Sequence, residues 1–406
     1  MRYSVATIFL IFKNQTKMMK NRKGINTICT HVGEVKDERY KGAISPLYMA
    51  TSYAFDNIDQ KRYPRYFNTP NQQELTKKIA ALEHTEDAMI FGSGMAAISH
   101  TLMAFLRAGD HIVLQQTLYG GTYNFATTQL EKYGISYSFT EGWASRDFEA
   151  KIQSNTKVIY IETPSNPLLT ITDLKVIGEL ANSKGILTII DNTFASPINQ
   201  NPADFGIDIM IHSATKYMGG HSDICAGAVA ASKAHIQTLW ESSICFGGSL
   251  SDQTVWLLER SLKTMGLRVK AQSRNAHEMA EFLNGHQDID TVYYPGLPSH
   301  PDHELAQEQM HGFGGMLSFE LQEEVNALEF MKALKLIKPS MSLAGVESTM
   351  TSPVLTSHSL MSKEDREAQG IKDGLIRFSV GIEEVDDLMA DIEQALAQVK
   401  TKTVLV

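Results

Sequence analysis

Residues 185–216 read GILTIIDNTFASPINQNPADFGIDIMIHSATK and contain two short apolar runs, each followed directly by polar residues. The first run, 185–191, ends in Asp191, and the second, 208–212, precedes a Ser/Thr-rich turn that holds Lys216. Apolar runs of this length between turn residues are typical of buried strands. The stretch therefore predicts two strands of one sheet with reactive side chains at their carboxyl ends.

The same pattern recurs upstream, where further apolar runs cover residues 88–91, 111–114 and 157–162. Between them, apolar residues spaced three or four apart predict amphipathic helices, for example one that carries Met95 and Ile98. Buried strands that alternate with helices predict an α/β fold with a mainly parallel sheet and helices on both faces. Ligands of such sheets bind at the carboxyl ends of the strands, so the residues after each run should meet in one pocket.

The pattern changes after residue 262. Helices are predicted over 264–283 and 323–336, together with short strands over 315–321 and 375–380. We interpret 61–262 as a large domain, 263–406 as a smaller C-terminal α+β domain, and 1–60 as an N-terminal extension and arm. Residues 1–24 hold an apolar stretch too short to span a membrane and no signal-peptide cleavage pattern. They are expected to be an upstream extension, with the structured protein beginning near Met18 or Met19.

The amino-acid composition limits the classes of molecule that this protein could bind. The 406 residues are 43% apolar and 20% charged, and the formal net charge is −9. An acidic chain disfavours nucleic acid or an anionic membrane as the main partner. Cys29, Cys225 and Cys245 have no C-x-x-C spacing, which excludes a disulfide framework and a four-thiolate zinc site. The histidines show no ligand spacing either, so we expect a cytoplasmic globular protein without a metal site.

The polar residues after the runs form a chemically specific set. Gly94 opens a predicted helix whose free N–H groups suit a phosphate, and Asp191, Asn166 and Lys216 follow other strands. No G-x-G-x-x-G follows a strand, and no G-x-x-x-x-G-K-[ST] is present, so dinucleotide and nucleoside triphosphate sites are unsupported. A lysine for a Schiff base, a buried acid and an anion site are what pyridoxal 5′-phosphate requires. The sequence therefore predicts this cofactor.

The segments SATKY (213–217) and GGHSD (219–223) resemble the lysine motif of the Cys/Met-metabolism, or trans-sulfuration, enzymes that use pyridoxal phosphate. That family includes cystathionine γ-synthase, cystathionine β- and γ-lyases, methionine γ-lyase and O-acetylhomoserine sulfhydrylase. The resemblance runs from about His31 to Ala397, and further matching segments in the family's order are YPR (63–65), SGM (93–95), LYGG (118–121), ETPSNP (162–167), DNT (191–193), SLAGVES (342–348) and IRFS (376–379). It implies the type I, aspartate-aminotransferase-like fold with a seven-stranded-type sheet.

The resemblance also implies roles for individual residues. Lys216 would form the Schiff base and move protons, Asp191 would hold the ring nitrogen protonated, and Asn166 would contact the ring 3′ oxygen. Tyr119 would stack on the ring and assist proton removal. The cofactor phosphate would be bound by Gly94, Met95, Ser213 and Thr215. Three of these residues have a plainer structural alternative: Asp191 as a helix N-cap, Asn166 as a turn residue and Tyr119 as a packing aromatic.

In the family, an arm of the neighbouring subunit binds the cofactor phosphate, and the resemblance assigns Tyr63 and Arg65 to that arm. It implies a homodimer that shares its active sites and a homotetramer, unless Arg65 is an ordinary surface residue. Arg377, with Ser342, would bind the substrate carboxylate, which suits the bidentate guanidinium group. Packing or capping is expected for His212 and His221, and Cys225 is expected to be a small buried hydrophobe.

Two departures bear on the substrate, which the resemblance limits to a small sulfur amino acid or an O-acyl homoserine. Gly121 stands where methionine γ-lyases carry a cysteine, and Met341 stands where cystathionine γ-synthases and γ-lyases carry a glutamate. A thioether cannot pair with the distal ammonium group of cystathionine. This favours a carbon–sulfur lyase of the cystathionine β-lyase type. The γ-synthase or γ-lyase activities rank next, then methionine γ-lyase or sulfhydrylase, and a non-catalytic binding module on the same fold is a remote alternative.

Overall fold

The computed structural model describes residues 23–56, 60–356 and 363–404. Most of the predicted upstream extension, residues 1–22, lies outside this part of the chain. The described residues form a seven-stranded sheet and a five-stranded sheet, which lie on opposite sides of residue 262 in the sequence. The division into two domains at that residue stays our proposal, and this placement of the sheets supports it.

The large sheet has the strand order β1-β7-β6-β5-β4-β2-β3. Strand β7 runs antiparallel to both of its neighbours, and the other neighbouring strands pair in parallel. The predicted mainly parallel seven-stranded sheet is therefore confirmed. The strands are β1 (Asp87–Phe91), β2 (His111–Leu114), β3 (Ser136–Phe139), β4 (Thr156–Glu162), β5 (Leu187–Asp191), β6 (Ile209–His212) and β7 (Gly227–Ala231).

Helices cover both faces of this sheet. Because successive strand residues point to opposite faces, Ile159 and Ile161 of β4 pack into one hydrophobic core, and Val158 and Tyr160 pack into the other. Burial on both faces explains why the central strands read as continuous apolar runs. The helices are α1 (Ile25–His31), α2 (Pro70–Leu82), α3 (Gly94–Phe105), α4 (Gly120–Thr128), α5 (Ser145–Glu149), α6 (Leu174–Lys184), α7 (Ser196–Asn199), α8 (Lys233–Phe246) and α9 (Asp252–Leu262).

Strand β5 and helix α1 each differ from what the sequence predicted. Strand β5 begins at Leu187 rather than 185, because Gly185 adopts a left-handed conformation (φ 65°) that ends α6. Helix α1 lies inside the segment predicted to be extension and arm. Its residues Ile28 and Cys29 are nevertheless buried in the core of the large sheet.

The small sheet has the order β10-β11-β12-β9-β8. Helix α10 (Met265–Asn284) joins the two parts: Met265 packs into the core of the large sheet, and Met279 packs into the core of the small one. Among the described residues, no helix is long and apolar enough to cross a membrane. The remaining elements are β8 (Ile289–Tyr293), α11 (His303–Gln309), β9 (Met316–Leu321), α12 (Ala327–Ala333), β10 (Lys338–Pro339), β11 (Thr349–Thr351), α13 (Lys363–Ala368), β12 (Leu375–Ser379) and α14 (Val385–Val404).

Helix α12 is shorter than the predicted 323–336. The Asn326 side chain accepts the amide N–H groups of Leu328 and Glu329, so it caps the helix two residues after Glu324. At the other end, Leu334 has an extended conformation. The residues just before Asn326 therefore stay outside the helix, although their propensity favours one.

A buried polar network lies beneath the carboxyl ends of β5 and β6. A hydrogen bond joins His212 Nε2 to Glu83 Oε1, and Asn192 Nδ2 donates to the same oxygen at 2.9 Å. Glu83 and Asn192 are completely buried, and His212 is almost so. Glu83 directly follows α2, so this carboxyl group ties that helix to two central strands. His212 is thus a packing residue, as predicted.

We expect Glu83→Ala to destabilise the fold, because it leaves buried nitrogens of His212 and Asn192 without this acceptor. The cost should be about 2–3 kcal/mol, measured as a lowered midpoint of thermal unfolding. The control is Glu38→Ala, which removes an ion pair with Lys41 whose side chains are 76% and 71% exposed. Equal midpoints for the two variants would contradict the role of the network.

Candidate active site

The residues that follow strands β1, β2, β4, β5 and β6 line one cavity of about 640 Å³ at the carboxyl edge of the large sheet. This is the position expected for the ligand of a parallel sheet. Three places in the small-sheet part complete the wall: residues 341–343, Thr356 and Arg377. The residues singled out from the sequence that line the cavity are Gly94, Met95, Tyr119, Asn166, Asp191, Ser213, Thr215, Lys216, Met341, Ser342 and Arg377.

One end of the cavity is suited to an anion. Ser93 caps α3: its hydroxyl group accepts the N–H of Ala96 at 3.0 Å, and its carbonyl accepts that of Ala97. The amides of Gly94 and Met95, in the first turn, are left for an external acceptor at the positive end of the helix dipole. A Cβ at Gly94 would lie 2.8 Å from the Ser213 Cβ, so only glycine lets the helix approach the turn after β6.

Lys216 lies in that turn. Its ammonium group donates to the Ser342 hydroxyl group at 2.8 Å. Burial, helped by the charge of Arg377, lowers the pKa of Lys216 to about 8. A useful fraction of the amine is therefore neutral near physiological pH. The Thr215 hydroxyl group is bonded to both backbone groups of Ala226, so it also fixes the turn that carries the lysine.

Asp191 ends β5 on the floor of the cavity. One of its oxygens accepts the N–H of Thr193 at 3.0 Å, and its exposed fraction is only 6%. Burial raises the pKa of Asp191, while Thr193 and the nearby His212 oppose that shift. A protonated ring nitrogen would supply the positive partner that a buried carboxylate needs.

Glu162 is a cavity residue that the sequence analysis did not single out. It ends β4 and is the register partner of Asp191. Its Oε2 accepts the N–H of Tyr119 at 2.7 Å, and its Oε1 accepts that of Asn166 at 3.2 Å. Burial and Asp191 raise the pKa of Glu162 well above its usual range. The sequence signal that could have identified Glu162 is its position at the end of an apolar run, like that of Asp191.

Arg377 reaches the cavity from β12. Its Nη1 donates to Asn166 Oδ1 and its Nη2 donates to the Ser342 carbonyl, both at 3.1 Å. Burial lowers the pKa of Arg377 to about 10, which leaves the group charged at neutral pH. The two bonds fix the guanidinium plane while other N–H groups stay free to bind a carboxylate.

Tyr119 stands at the start of α4 with 43% of its surface exposed. Burial of the ring, followed by the charges of Asp191 and Glu162, raises the pKa of Tyr119, so the phenol is protonated at neutral pH. A Cβ at Gly121 would lie 2.5 Å from the Tyr119 Cε1 and 2.8 Å from the Met95 sulfur. The absence of a side chain at residue 121 is therefore what gives the tyrosine ring its place.

Three residues differ from the expectations or lie elsewhere. Cys225 is exposed and lines the cavity, so its predicted burial is wrong; it lies in the irregular segment that leads from the lysine turn to β7. Tyr63 and Arg65 do not line this cavity. Arg65 stacks on the rings of Tyr63 and Tyr66 and donates to the Ile244 carbonyl of its own chain.

These features fit pyridoxal 5′-phosphate. The two free amides of α3 suit its phosphate, Asp191 suits its ring nitrogen, and Lys216 has the depressed pKa that a Schiff base requires. The described residues hold no group of three or more side chains able to bind a metal ion.

Comparison with known proteins agrees with this chemistry. Residues 26–397 match the family described as Cys/Met metabolism PLP-dependent enzyme. The sequence is 44% identical to a cystathionine gamma-lyase of Bacillus subtilis, over 92% of this chain and 99% of that protein. It is 42% identical to a cystathionine beta-lyase of Lactococcus lactis, over 90% of this chain and 97% of that protein. The crystal structure of cystathionine gamma-lyase from Lactobacillus plantarum complexed with L-serine has a TM-score of 0.90 and 38% identity, and covers 93% of this chain and 100% of that one.

The chain therefore belongs to the Cys/Met-metabolism family of enzymes that depend on pyridoxal phosphate. The predicted family, fold, enzymatic nature and cofactor are confirmed.

We expect cofactor uptake by the apoprotein to depend on pH through Lys216, because only the neutral amine attacks an aldehyde. The rate should rise about tenfold per pH unit below pH 8 and level off above it, since burial lowers this pKa to about 8. Absorbance after rapid mixing measures the rate. Borohydride reduction and peptide mapping should place the label on Lys216, and a Lys216→Ala control should take none. A rate still rising steeply at pH 10, or a label on another lysine, would contradict the assignment.

Proposed function

We propose that this enzyme cleaves L-cystathionine by β-elimination and yields homocysteine, pyruvate and ammonia. The observation that carries the proposal is Met341: it lines the mouth of the cavity and is 68% exposed, where the cystathionine γ-enzymes are expected to place a carboxylate. Among the described residues, the acidic side chains that line the cavity are Glu162 and Asp191, both on its floor. A distal ammonium group near Met341 would find no anionic partner there.

The residues on the small-sheet side of the cavity would bind the substrate. The fixed guanidinium group of Arg377 would bind the α-carboxylate of the reacting half, next to Ser342. This places the substrate Cα near Lys216, whose ammonium group contacts the same serine. Pyridoxal phosphate, when bound, provides the electron sink for negative charge at that carbon.

Proton transfer is the task of two side chains. The Lys216 amine, with its pKa of about 8, would take the proton from the substrate Cα and later return one. Tyr119 keeps its phenol proton at neutral pH and could deliver it to the sulfur that leaves. The carbon–sulfur bond at Cβ breaks, the sulfur leaves as the homocysteine thiol, and the remaining three-carbon unit is released and hydrolysed to pyruvate and ammonia.

The regiochemistry depends on which half of cystathionine is held at the reacting centre and on what then binds the other half. In γ-cleavage the distal half is cysteine, with one methylene between sulfur and Cα. In β-cleavage the distal half is homocysteine, with two. The distal ammonium lies the same number of bonds from the reacting Cα in both orientations, and the difference is that the sulfur lies one bond farther from that Cα in γ-cleavage. Met341 cannot form the ion pair that a glutamate at this position is expected to give the γ-orientation, so its presence favours β-cleavage.

The second candidate is γ-cleavage or γ-replacement. It is supported by the names of the relatives, since a gamma-lyase and a beta-lyase match this chain almost equally well. Methionine γ-lyase activity ranks lower. The cysteine expected at residue 121 in such enzymes would meet Tyr119 and Met95 at distances that real Cβ atoms do not adopt.

The enzyme should release more pyruvate than 2-oxobutyrate from L-cystathionine, and chromatography of the keto acids measures the ratio. Met341→Glu should shift the ratio toward 2-oxobutyrate, because a carboxylate would pair with the ammonium of the γ-orientation. Met341→Leu is the matched control, and it should keep the wild-type ratio. A wild type that yields mainly 2-oxobutyrate would make γ-cleavage the leading assignment.

A dimer with shared active sites is the second part of the proposal, together with a tetramer and a cytoplasmic location. The N-terminal arm supports the dimer because it exposes large apolar side chains, among them Tyr40, Met49 and Phe55, with exposed fractions of 76%, 60% and 84%. Tyr63 and Arg65 are also exposed and lie away from the cavity of their own chain. A site completed by a neighbour's Arg65 accounts for both facts.

Arg65→Ala should weaken cofactor retention, measured by dialysis, although the residue does not line the cavity of its own chain. Mixing Arg65→Ala subunits with Lys216→Ala subunits should restore part of the activity, because one of the two hybrid sites would contain both residues. Either variant alone is the control. Formation of hybrids, proved by tagged subunits, without any restored activity would argue against the shared site.

A further inference from the structure

The carboxyl group of Glu162 connects parts of the cavity wall that come from different segments of the chain. Its two oxygens accept two backbone N–H groups, that of Tyr119 after β2 and that of Asn166 after β4. These segments follow non-consecutive strands that are neighbours in the sheet. One side chain therefore sets the distance between the two loops.

The connection continues into the small-sheet part. The Asn166 side chain accepts from Arg377 Nη1, and Arg377 Nη2 donates to the Ser342 carbonyl. The Ser342 hydroxyl group accepts from Lys216. A continuous path of hydrogen bonds thus runs from Glu162 to the arginine that meets the substrate carboxylate and to the lysine.

The backbone of Glu162 is itself held firmly. Its N–H donates to Gln115 Oε1 at 3.3 Å, and its carbonyl accepts from Gln115 Nε2 at 2.8 Å. The residue ends β4 in register with Asp191 of β5, and only 4% of it is exposed. Its carboxyl group therefore has little freedom to move, which is what a positioning group needs.

We propose that Glu162 is a positioning residue that orients Tyr119 directly and Arg377 through Asn166, and so couples the proton-transfer side of the cavity to the carboxylate-binding side. Glu162 needs no contact with the substrate for this role. The inference rests on the proposed function, because it assigns Tyr119 and Arg377 the tasks given above.

The test is Glu162→Gln. A glutamine keeps the size of the side chain, but its amide nitrogen faces one of the two N–H donors, so one loop loses its acceptor. We expect kcat/KM for L-cystathionine to fall about 10- to 100-fold, the size expected when a buried donor loses its acceptor. Both kcat and KM should change, and the visible circular dichroism of the bound cofactor should change because the Tyr119 ring shifts.

The matched control is Glu259→Gln. Glu259 is equally buried, accepts from the Ser45 hydroxyl group, and does not line the cavity. It should lower thermal stability without changing kcat/KM or the dichroism. If Glu162→Gln behaves like this control, Glu162 has a structural role only and the proposal is wrong.

A double-mutant cycle tests the path through Asn166. Asn166→Ala removes the acceptor of Arg377 and should raise KM about tenfold on its own. In the variant that carries both Asn166→Ala and Glu162→Gln, KM should rise by much less than the product of the two single effects. Multiplicative effects on KM would exclude this path. If Glu162→Gln does not fold, an unchanged KM in Asn166→Ala has the same meaning. A wild type without carbon–sulfur lyase activity would instead refute the proposed function, so the two failures are distinguishable.

Discussion

The constraint on which the site depends is the burial of ionisable groups at the edge of an apolar sheet. Asp191 and Glu162 end adjacent strands in register, with almost no exposure to solvent. Burial raises the pKa of both groups, and Asp191 raises that of Glu162 further, so the two are expensive to ionise together. Backbone N–H groups offset part of this cost, and a protonated ring nitrogen of the cofactor would supply the positive partner of Asp191.

The same constraint explains why the site needs both sheets. Arg377 comes from the small sheet, and it is buried against Asn166 of the large-sheet part. Lys216 leaves the large sheet, and its nitrogen meets Ser342 beside β10. Helix α10 packs into both cores and so supports this meeting of the two parts. The arrangement makes the lysine less basic, because it is buried next to a fixed positive charge.

The sequence was sufficient for the features that rest on local chemistry. The runs that became β2, β4 and β6 are rich in branched apolar residues, and the polar residues after them were found to share a cavity. Strand β7 was missed because GAVAA (227–231) consists mostly of small residues with no period. The bonds of Glu162 could not be predicted, since they depend on the register of β4 and on loops brought together from distant positions. The exposure of Cys225 was missed for a similar reason, because an irregular segment gives no pattern from which burial can be read.

The contrast between floor and rim indicates how related chains can perform different reactions. On the floor, Asp191, Glu162, Asn166 and Arg377 are buried and most share hydrogen bonds, so a change in one leaves another charge or donor unpaired. On the rim, the Met341 side chain is 68% exposed and does not take part in these hydrogen bonds, so it can change at little cost to the fold. Proteins named as gamma-lyase, beta-lyase and methionine gamma-lyase are 39–44% identical to this chain over nearly all of it. Because a change on the floor leaves buried groups unpaired and a change on the rim does not, substitutions that alter the reaction without loss of the fold are expected at the rim.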